Sequence, residues 1–382
     1  MRRTSLQLSI VVLFAFGVGA FARADSSSSG QFELKLPVGI AYETWSYYVP
    51  RDNPLTRGKV ELGRKLFFDK RLSADGTVSC ATCHDPRFAF ADGKKVAEGI
   101  GGRRGTRNSP TLFNAMFNGG QFWDGRAESL EEQAKMPLLN PDEMGNDSHD
   151  QVVKRIGALP EYVRPFQDAF GSPAAIDSIA RAIACFERTL VSGNSPFDRF
   201  AAGDRNALTQ AAQRGMGLFR TRARCAICHS INASFPFLTD QNYRNTGVAA
   251  NFAGFEGLTR RAVELAQGDV AAAMTALEKH PGRSELGRFA VTGNALDIGA
   301  FRTPSLRNVD LTAPYFHDGS AATLADVLRF YVKGGIDNAS RDWELQPVDL
   351  SERDQADIIE FLKSLTSDDA RRIVEDSKLS PP

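Results

Sequence analysis

The sequence CATCH occupies residues 80–84, and CAICH repeats its pattern at residues 225–229. C-x-x-C-H is the attachment motif of c-type haem, in which two thioether bonds hold the porphyrin and the adjacent histidine becomes the proximal iron ligand. A redox C-x-x-C pair or a zinc site of four cysteines would leave the histidine after each pair unexplained. Two covalently bound haems are therefore predicted. Their attachment residues and iron ligands would be Cys80, Cys83 and His84 for the first haem, and Cys225, Cys228 and His229 for the second.

A second, weaker repeat lies upstream of each haem motif. Residues 63–67 (GRKLF) and residues 215–219 (GMGLF) both read G-x-x-L-F within a helical pattern. Two copies of one unit predict two similar domains in tandem. A cluster of Gly, Asn, Ser and Pro at residues 192–204 marks the boundary between them.

Apolar residues recur at helical spacing over much of the chain. One helix is predicted to begin near Asn53, where a capping residue precedes a first-turn proline. Further helical patterns lie at residues 127–136, 149–158, 174–190, 208–220, 257–280, 323–333 and 353–365. Since no segment shows a sustained alternation of period two, the fold class is predicted to be mainly α.

Composition and the N-terminus narrow the class of protein. The 382 residues include 46 basic and 46 acidic side chains, a balance that argues against a nucleic-acid-binding protein. Arg2 and Arg3 precede an apolar stretch that ends in the cleavage pattern Ala-Arg-Ala at residues 22–24. This pattern predicts a signal peptide at residues 1–24 and export to the periplasm, without a membrane span in the exported chain.

The second axial position of each haem decides its chemistry. An iron with two strong ligands transfers electrons, whereas an open position allows catalysis. The usual second ligand of a c-type haem is methionine, and the last methionine of this chain is Met274. The C-terminal part of the chain therefore lacks the usual ligand.

Three long stretches resemble the bacterial di-haem cytochrome c peroxidase/MauG family. They lie at residues 75–93 (DGTVSCATCHDPRFAFADG), at 107–145 (from RNSPTLFN to NPDEMG) and at 301–331 (from FRTPSLRN to RFY). The resemblance implies two tandem cytochrome c-like domains, each with one covalently bound haem, and a C-terminal helix that packs back on the first domain. The implied bounds are an N-terminal extension at 25–52, domains at 53–196 and 197–345, and a C-terminal segment at 346–382.

The resemblance implies that the haem attached at residues 80–84 is the peroxide site. Glu143 matches the distal acid/base of the family, and Gln133 matches an amide that orients peroxide. Chemistry gives an independent reason for a carboxylate, because one group must take a proton from H2O2 and return it to the leaving oxygen. Without the resemblance, the two residues would be interpreted as a solvated helix charge and a surface amide.

Two further sites are implied by the same resemblance. Trp123 matches a tryptophan that lies between the two haems, where an indole can relay an electron, and ordinary aromatic packing is the alternative interpretation. Asn108, Thr312 and Pro314 match an inter-domain calcium site, at which amide and carbonyl oxygens would suit a hard cation.

Two departures from the typical peroxidases of the family indicate the MauG-like branch. Typical members carry a histidine in the loop after the first haem motif, and this histidine blocks the resting peroxide site. The loop at residues 98–110 contains none, so the site is expected to be open in the ferric state. The second departure is Tyr331, which stands where typical members place the methionine ligand of the second haem and where MauG-type enzymes use a tyrosinate.

The helix that carries Tyr331 can be predicted from local signals. Thr323 and Asp326 form a capping-box pattern at its start, and two glycines at residues 334–335 end it. Helical spacing directs Tyr331 inward with the apolar face. On this pattern alone, a core tyrosine is the alternative to an iron ligand.

Together these features imply a periplasmic, MauG-like di-haem peroxidase. H2O2 would bring the two haems to a high-valent state that oxidises side chains of a partner protein by long-range electron transfer. Ala223 stands where MauG carries an oxidisable tryptophan, so a different protein substrate is expected. Two alternatives stay open: a cytochrome c peroxidase that reduces H2O2 with electrons from a small cytochrome c or cupredoxin, and a non-enzymatic di-haem electron carrier.

Overall fold

A computed structural model describes residue 30, residues 32–267 and residues 269–379. The signal peptide predicted at residues 1–24 lies outside the described residues. None of the helices in the described ranges is long and apolar enough to cross a membrane. The predicted mainly α fold is confirmed, and the helices are α1 (Tyr42–Tyr47), α2 (Arg57–Phe67), α3 (Cys80–Cys83), α4 (Leu130–Leu139), α5 (His149–Gly157), α6 (Pro160–Phe170), α7 (Ile176–Glu187), α8 (Pro196–Ala201), α9 (Gln210–Arg220), α10 (Phe255–Ala266), α11 (Val270–Ala276), α12 (Phe289–Thr292), α13 (Leu324–Val332), α14 (Glu352–Lys363) and α15 (Asp368–Leu379).

A short antiparallel pair of strands interrupts the helices of the second half. The strands are β1 (Tyr243–Arg244) and β2 (Phe301–Arg302). Tyr243 pairs with Arg302, and Arg244 pairs with Phe301. The pair joins the two ends of the segment that contains α10, α11 and α12.

The first long helix begins later than predicted. It starts at Arg57 rather than near Asn53, because the Thr56 side chain caps it by accepting a hydrogen bond from the Lys59 backbone N–H at 3.4 Å. Asn53 makes long-range contacts instead, and its amide donates to Glu131 Oε1 at 2.7 Å. Asn53, which precedes α2, thus connects the start of this helix to α4.

The segment at residues 257–280 forms two helices rather than the single predicted one. α10 ends at Ala266, and α11 begins at Val270. The Asp269 carboxylate accepts a hydrogen bond from the Ala271 backbone N–H at 2.9 Å. An N-cap within a continuous apolar pattern therefore divides the segment.

The G-x-x-L-F repeat marks two equivalent helix crossings. α2 crosses α7 at Gly63, where a Cβ atom would lie 1.8 Å from the Ala182 carbonyl oxygen. α9 crosses α14 at Gly215, where a Cβ atom would lie 1.9 Å from the Asp357 carbonyl oxygen. Only glycine allows the backbones to approach this closely. The predicted internal repeat is therefore a repeated pair of crossed helices.

A second pair of equivalent residues closes each unit. The Asn114 backbone N–H donates to the Leu190 carbonyl oxygen at 2.9 Å. The Asn114 side-chain oxygen accepts a hydrogen bond from the N–H of Ser192, two residues after Leu190. Asn308 makes the same two bonds. Its backbone N–H donates to the Leu365 carbonyl oxygen at 3.2 Å, and its side-chain oxygen accepts from the N–H of Ser367, two residues after Leu365. Both asparagines have a left-handed backbone, with φ of +63° and +60°. Each unit is thus tied to the end of its last helix in the same way.

Three clusters of buried apolar side chains form the interior. The first is built on α2, α4 and α7, the second on α9, α13 and α14, and the third on α10, α11 and α12. The C-terminal segment contributes to two of them. α14 packs on α9 in the second cluster, whereas Ala370 and Val374 of α15 join the first. In the described chain, α14 thus packs on the second unit and α15 on the first.

Candidate active site

The first haem motif forms α3 and the turn that follows it. The Ser79 backbone N–H donates to Thr82 Oγ1 at 3.0 Å, which fixes the start of this short helix. His84 Nδ1 lies 3.2 Å from the Phe90 carbonyl oxygen and 3.1 Å from that of Pro110. A proton on Nδ1 that bonds these carbonyls fixes the ring and leaves Nε2 free to ligate a metal.

The second haem motif presents its histidine in the same way. His229 Nδ1 lies 2.9 Å from the Leu238 carbonyl oxygen. Phe90 and Leu238, which supply these carbonyls, both have a left-handed backbone, with φ of +58° and +50°. Burial lowers the pKa of His84 and of His229, which favours the neutral imidazole that binds a metal. The two predicted proximal ligands therefore share one local geometry.

Glu143 lies near the first haem motif, in the turn after α4. Asn140 Nδ2 donates to Glu143 Oε1 at 2.7 Å. Burial raises the pKa of the Glu143 carboxyl, and the positive charge of Arg126 opposes the rise. Burial also raises the pKa of the Cys80 and Cys83 thiols, and the charge of Glu143 adds to both rises. A half-buried carboxyl with a raised pKa beside the haem motif suits proton transfer.

Gln133 lies on the helix that leads into this turn. The Ser129 side chain caps α4 by accepting from the Glu132 backbone N–H at 3.1 Å. Gln133 is half-buried, and within the described ranges its amide forms no hydrogen bond. Pro137 follows four residues later on the same face of the helix. Gln133 and Glu143 thus belong to one helix and its following turn, with no direct hydrogen bond between them in this part of the chain.

The loop at residues 98–110, which lacks a histidine, supports the Glu143 turn. The Ile100 backbone N–H donates to the Glu143 carbonyl oxygen at 2.9 Å. At Gly99, a Cβ atom would lie 2.2 Å from the Asp142 carbonyl oxygen and 2.4 Å from that of Glu143. Glycine is required at this approach, and the loop holds the backbone of the predicted acid/base residue.

A cavity of about 240 Å³ surrounds the second haem motif. It brings together the residues predicted for the second haem, for the relay between the haems and for calcium. Those that line it are Cys225, Cys228, His229, Tyr331, Trp123, Asn108, Thr312 and Pro314. As far as the chain is described, no methionine lines this cavity. His317 also lines the cavity, but its Nε2 lies 2.8 Å from Glu285 Oε2, so Tyr331 is the candidate for the second axial ligand.

Tyr331 lies near the end of α13, and the predicted capping box at the start of this helix is confirmed. The Asp326 backbone N–H donates to Thr323 Oγ1 at 3.1 Å, and the Thr323 N–H donates to Asp326 Oδ2 at 2.9 Å. Burial raises the pKa of Tyr331, and the Cys228 and Cys225 thiols add to the rise. A phenolate at this position therefore needs a neighbouring cation, and a haem iron would supply one.

Trp123 lines the same cavity from the first unit. Its Nε1 donates to the Asn108 carbonyl oxygen at 2.9 Å, and its own carbonyl oxygen accepts from the Arg302 N–H at 2.7 Å. Asn108 is two residues before Pro110, whose carbonyl oxygen bonds His84. The indole therefore links the second cavity to the loop behind the first proximal histidine.

The three residues predicted to bind calcium line this cavity together. Asn108 Oδ1 and the carbonyl oxygens of Thr312 and Pro314 are ligands that calcium prefers. Across the described chain, none of these three oxygens accepts a hydrogen bond from another residue. The Asn108 amide nitrogen donates to the Lys94 carbonyl oxygen at 2.8 Å, which fixes the orientation of the side chain. The donor set fits a hard cation.

A buried acid near the first motif was not predicted. Glu187 ends α7 and is 4% exposed, and its Oε2 has no hydrogen-bond partner in the described ranges. The adjacent Arg188 instead forms two hydrogen bonds with Glu131, at 2.6 and 2.8 Å. Burial raises the pKa of Glu187 to about 8, and its charge adds to the rise that burial causes in the pKa of Cys80. Its position four residues after Ile183, on the apolar stripe of α7, was a usable signal.

A buried arginine in the second cavity was also not predicted. Arg302 is 5% exposed, and its Nη1 donates to Asn118 Oδ1 at 3.0 Å. Its Nε has no partner among the described residues, and burial lowers the pKa of the guanidinium to about 10. A buried guanidinium without a carboxylate partner suits an anionic group such as a haem propionate.

Comparison with known proteins places this arrangement in a family. A sequence profile described as di-haem cytochrome c peroxidase matches residues 57–206. The methylamine utilization protein MauG of Methylorubrum extorquens is 40% identical over 92% of this chain and 89% of its own length. The cytochrome c551 peroxidase of Pseudomonas aeruginosa is 39% identical over 84% of this chain and 82% of its own length.

A solved structure agrees with these relatives. A MauG-like protein associated with microbial copper homeostasis matches with a TM-score of 0.71 and 33% identity, over 87% of this chain and 95% of that protein. The chain belongs to the di-haem cytochrome c peroxidase/MauG family, whose members are haem oxidoreductases that use H2O2.

Proposed function

We propose that this protein is a periplasmic, MauG-like di-haem peroxidase that uses H2O2 to oxidise side chains of a partner protein over a distance. The observation that carries the proposal is the presence of Tyr331 in the cavity of the second haem motif. No methionine of the described chain lines this cavity. A phenolate is a hard anionic donor that lowers the potential of a haem. A second haem of low potential suits the storage of oxidising equivalents. The periplasmic location rests on the predicted signal peptide.

Two cytochrome c-like domains, at residues 53–196 and 197–345, would each hold one haem through the motifs at 80–84 and 225–229. When bound, the haems supply an iron that binds peroxide and a store for two oxidising equivalents. The two equivalent glycine crossings and the matched histidine geometry support a duplicated frame. The differences between the units would then assign one haem to peroxide and the other to storage.

Glu143 would act as the acid/base at the first haem. In this role the carboxylate takes a proton from the near oxygen of H2O2 and returns it to the leaving oxygen as the O–O bond breaks. Its burial and raised pKa support the role, since a stronger proton acceptor is a better base. The bonds from Asn140 and Ile100 would keep the carboxyl in place. The amide of Gln133 would orient the peroxide.

Trp123 would relay electrons between the two haems. Its hydrogen bond to Asn108 keeps the indole beside the second cavity and next to the loop that bonds His84. A calcium ion held by Asn108, Thr312 and Pro314 would stiffen the same loop. Asn108 supplies both the acceptor for the indole and a calcium ligand, so calcium removal is expected to disturb the relay.

A cytochrome c peroxidase is the second candidate, and the relative named cytochrome c551 peroxidase favours it. Steady-state turnover with H2O2 and a reduced small cytochrome c separates the two functions. The proposed function predicts slow turnover, because a low-potential second haem exchanges electrons poorly with such a donor. Rapid turnover that saturates with the reduced cytochrome would overturn the protein-modifying role.

A further inference from the structure

Trp343 is the most exposed of the three tryptophans of the chain. Its exposed fraction is 76%, compared with 8% for Trp45, and Trp123 is half-buried. A single exposed apolar side chain needs no explanation by itself. The position of Trp343 relative to the second haem motif, however, indicates a function for this exposed side chain.

The residue after Trp343 is attached to the second haem motif. Glu344 lines the cavity of this motif. Its Oε2 accepts a hydrogen bond from Arg224 Nη2 at 3.0 Å, and Arg224 directly precedes the attachment cysteine Cys225. The segment that carries the exposed indole is therefore fixed to the flank of the motif.

The residue before Trp343 is attached to a second residue that lines the same cavity. Asp342 Oδ2 accepts from Arg244 Nη1 at 2.8 Å, and both residues line the cavity. The Asp342 backbone N–H donates to the Asn245 carbonyl oxygen at 2.9 Å, and its own carbonyl oxygen accepts from the Leu345 N–H at 3.1 Å. Adjacent Cα atoms are about 3.8 Å apart, so Trp343 is one such step from two residues of the cavity wall.

The charged side chains on either side of Trp343 are paired within the chain. Ile227, inside the second haem motif, is 41% exposed and lines the cavity. The arginines nearby are bonded to Glu344 and Asp342. Because these charges are already paired, the binding of a protein partner that presents an aromatic side chain beside Trp343 should depend weakly on salt.

We infer that Trp343 is the residue through which oxidising equivalents pass from the second haem site to a partner protein. This inference rests on the proposed function. The indole gives one electron to the oxidised second site and releases its N–H proton to water, and a donor group of the partner then returns one electron while water returns the proton. Two passes supply the two electrons that H2O2 needs, together with two protons, to become two molecules of water.

The first test omits the partner, so that Trp343 itself is consumed. The haem-loaded protein receives one equivalent of H2O2 without a reductant, and its peptides are weighed by mass spectrometry. Two-electron oxidation of the indole with water gives hydroxytryptophan, two electrons and two protons. We expect one added oxygen atom in the peptide that contains Trp343 and none in the peptide that contains Trp45.

The second test measures electron delivery in a single turnover, with reduced mitochondrial-type cytochrome c as the probe. Trp343→Phe is expected to slow the return of the peroxide-oxidised protein to its ferric state by about tenfold, because phenylalanine is much harder to oxidise. Trp343→Tyr should recover part of the rate. Leu296→Ala, which removes an equally exposed apolar side chain (84%) elsewhere, is the matched control and should not change it.

Electron paramagnetic resonance separates failure of this inference from failure of the proposed function. If H2O2 removes the ferric signals but Trp343 stays unmodified and Trp343→Phe accepts electrons at the wild-type rate, the inference is overturned and the proposed function stands. If H2O2 leaves the ferric signals of the wild-type protein unchanged, the proposed function fails and the inference fails with it.

Discussion

The two haem-motif units share one frame and differ in a few polar side chains. A glycine crossing joins α2 to α7 in the first unit and α9 to α14 in the second, and in both units a half-buried histidine bonds the carbonyl oxygen of a left-handed residue. The first unit adds the carboxyl of Glu143 and the amide of Gln133, whereas the second adds the phenol of Tyr331. The comparison teaches that the frame positions a porphyrin, while a few side chains assign its chemistry.

Removal of the acid from the first unit is expected to have the largest effect. Glu143→Gln keeps the shape of the side chain but cannot accept a proton, so the reaction with H2O2 should slow by about 10²–10⁴-fold. Because burial raises the pKa of Glu143, the wild-type rate should fall on the acid side at a pH above the usual range of a glutamate. Stopped-flow measurement of peroxide binding and cleavage over pH checks both statements.

The control for this change is the adjacent exposed carboxylate. Asp142→Asn should leave the rate within a small factor of the wild-type value, because this side chain is exposed to solvent. An unchanged rate in Glu143→Gln would remove Glu143 from the acid/base role and would make the two units chemically alike.

Replacement of the phenol in the second unit is the next largest change. Tyr331→Met exchanges an anionic ligand for a neutral thioether, so the potential of the second haem should rise by on the order of 0.1 V or more. Tyr315→Phe is the matched control, because this tyrosine lines the same cavity but its hydroxyl donates to the Val309 carbonyl oxygen at 3.0 Å. Redox titration followed by absorbance measures both variants. An unchanged potential and spectrum in Tyr331→Met would show that Tyr331 is a core side chain and not an iron ligand.

The equivalence of the two frames can be tested through their glycines. Gly215→Ala and Gly63→Ala should each destabilise the protein by about 1–3 kcal/mol, since the added methyl group would overlap a backbone carbonyl. Gly217→Ala lies on the same helix as Gly215, with no atom within 4 Å of the added Cβ. It should be neutral or stabilise by up to about 1 kcal/mol. Urea unfolding of the haem-loaded protein measures all three, and equal stabilities of Gly215→Ala and Gly217→Ala would contradict the crossing.

The smallest effect concerns Glu187, a buried acid of the first unit. Burial raises the pKa of Glu187 from 4.5 to about 8. Between these values the folded state keeps the proton that the unfolded state has lost, so the free energy of unfolding should fall as pH rises through this range. Glu187→Gln removes this dependence and should stabilise the protein by roughly 1–2 kcal/mol at neutral pH. Thermal unfolding against pH tests this, with the exposed Glu256→Gln as control.

Local signals were sufficient for much of the fold and for the haem motifs. The C-x-x-C-H spacing, the capping box of α13 and the G-x-x-L-F repeat each lie within a few consecutive residues, and the mainly α fold follows from periodicity. Thr56 replaced Asn53 as the cap of α2 because Asn53 bonds Glu131, which is distant in sequence. Such a competition between a local and a distant partner cannot be predicted from the local pattern.

The features that were not predicted depend on contacts between distant segments. Glu187 is buried because α7 packs against both α2 and α4. Trp343 is held between two residues of the second cavity by pairs that join Asp342 and Glu344 to arginines about a hundred residues earlier. Residues of this kind look ordinary in the sequence, and only the folded chain shows what surrounds them.

The most direct test of the central claim is the electron paramagnetic resonance spectrum of the fully ferric protein, before and after one equivalent of H2O2. Our account predicts one high-spin and one low-spin haem, because the first site is open and the second carries the tyrosine ligand. Both signals should vanish when peroxide is added, since the two units share the oxidation. Two low-spin signals that do not respond to H2O2 would contradict this account and would indicate an electron carrier, or a peroxidase that needs prior reduction.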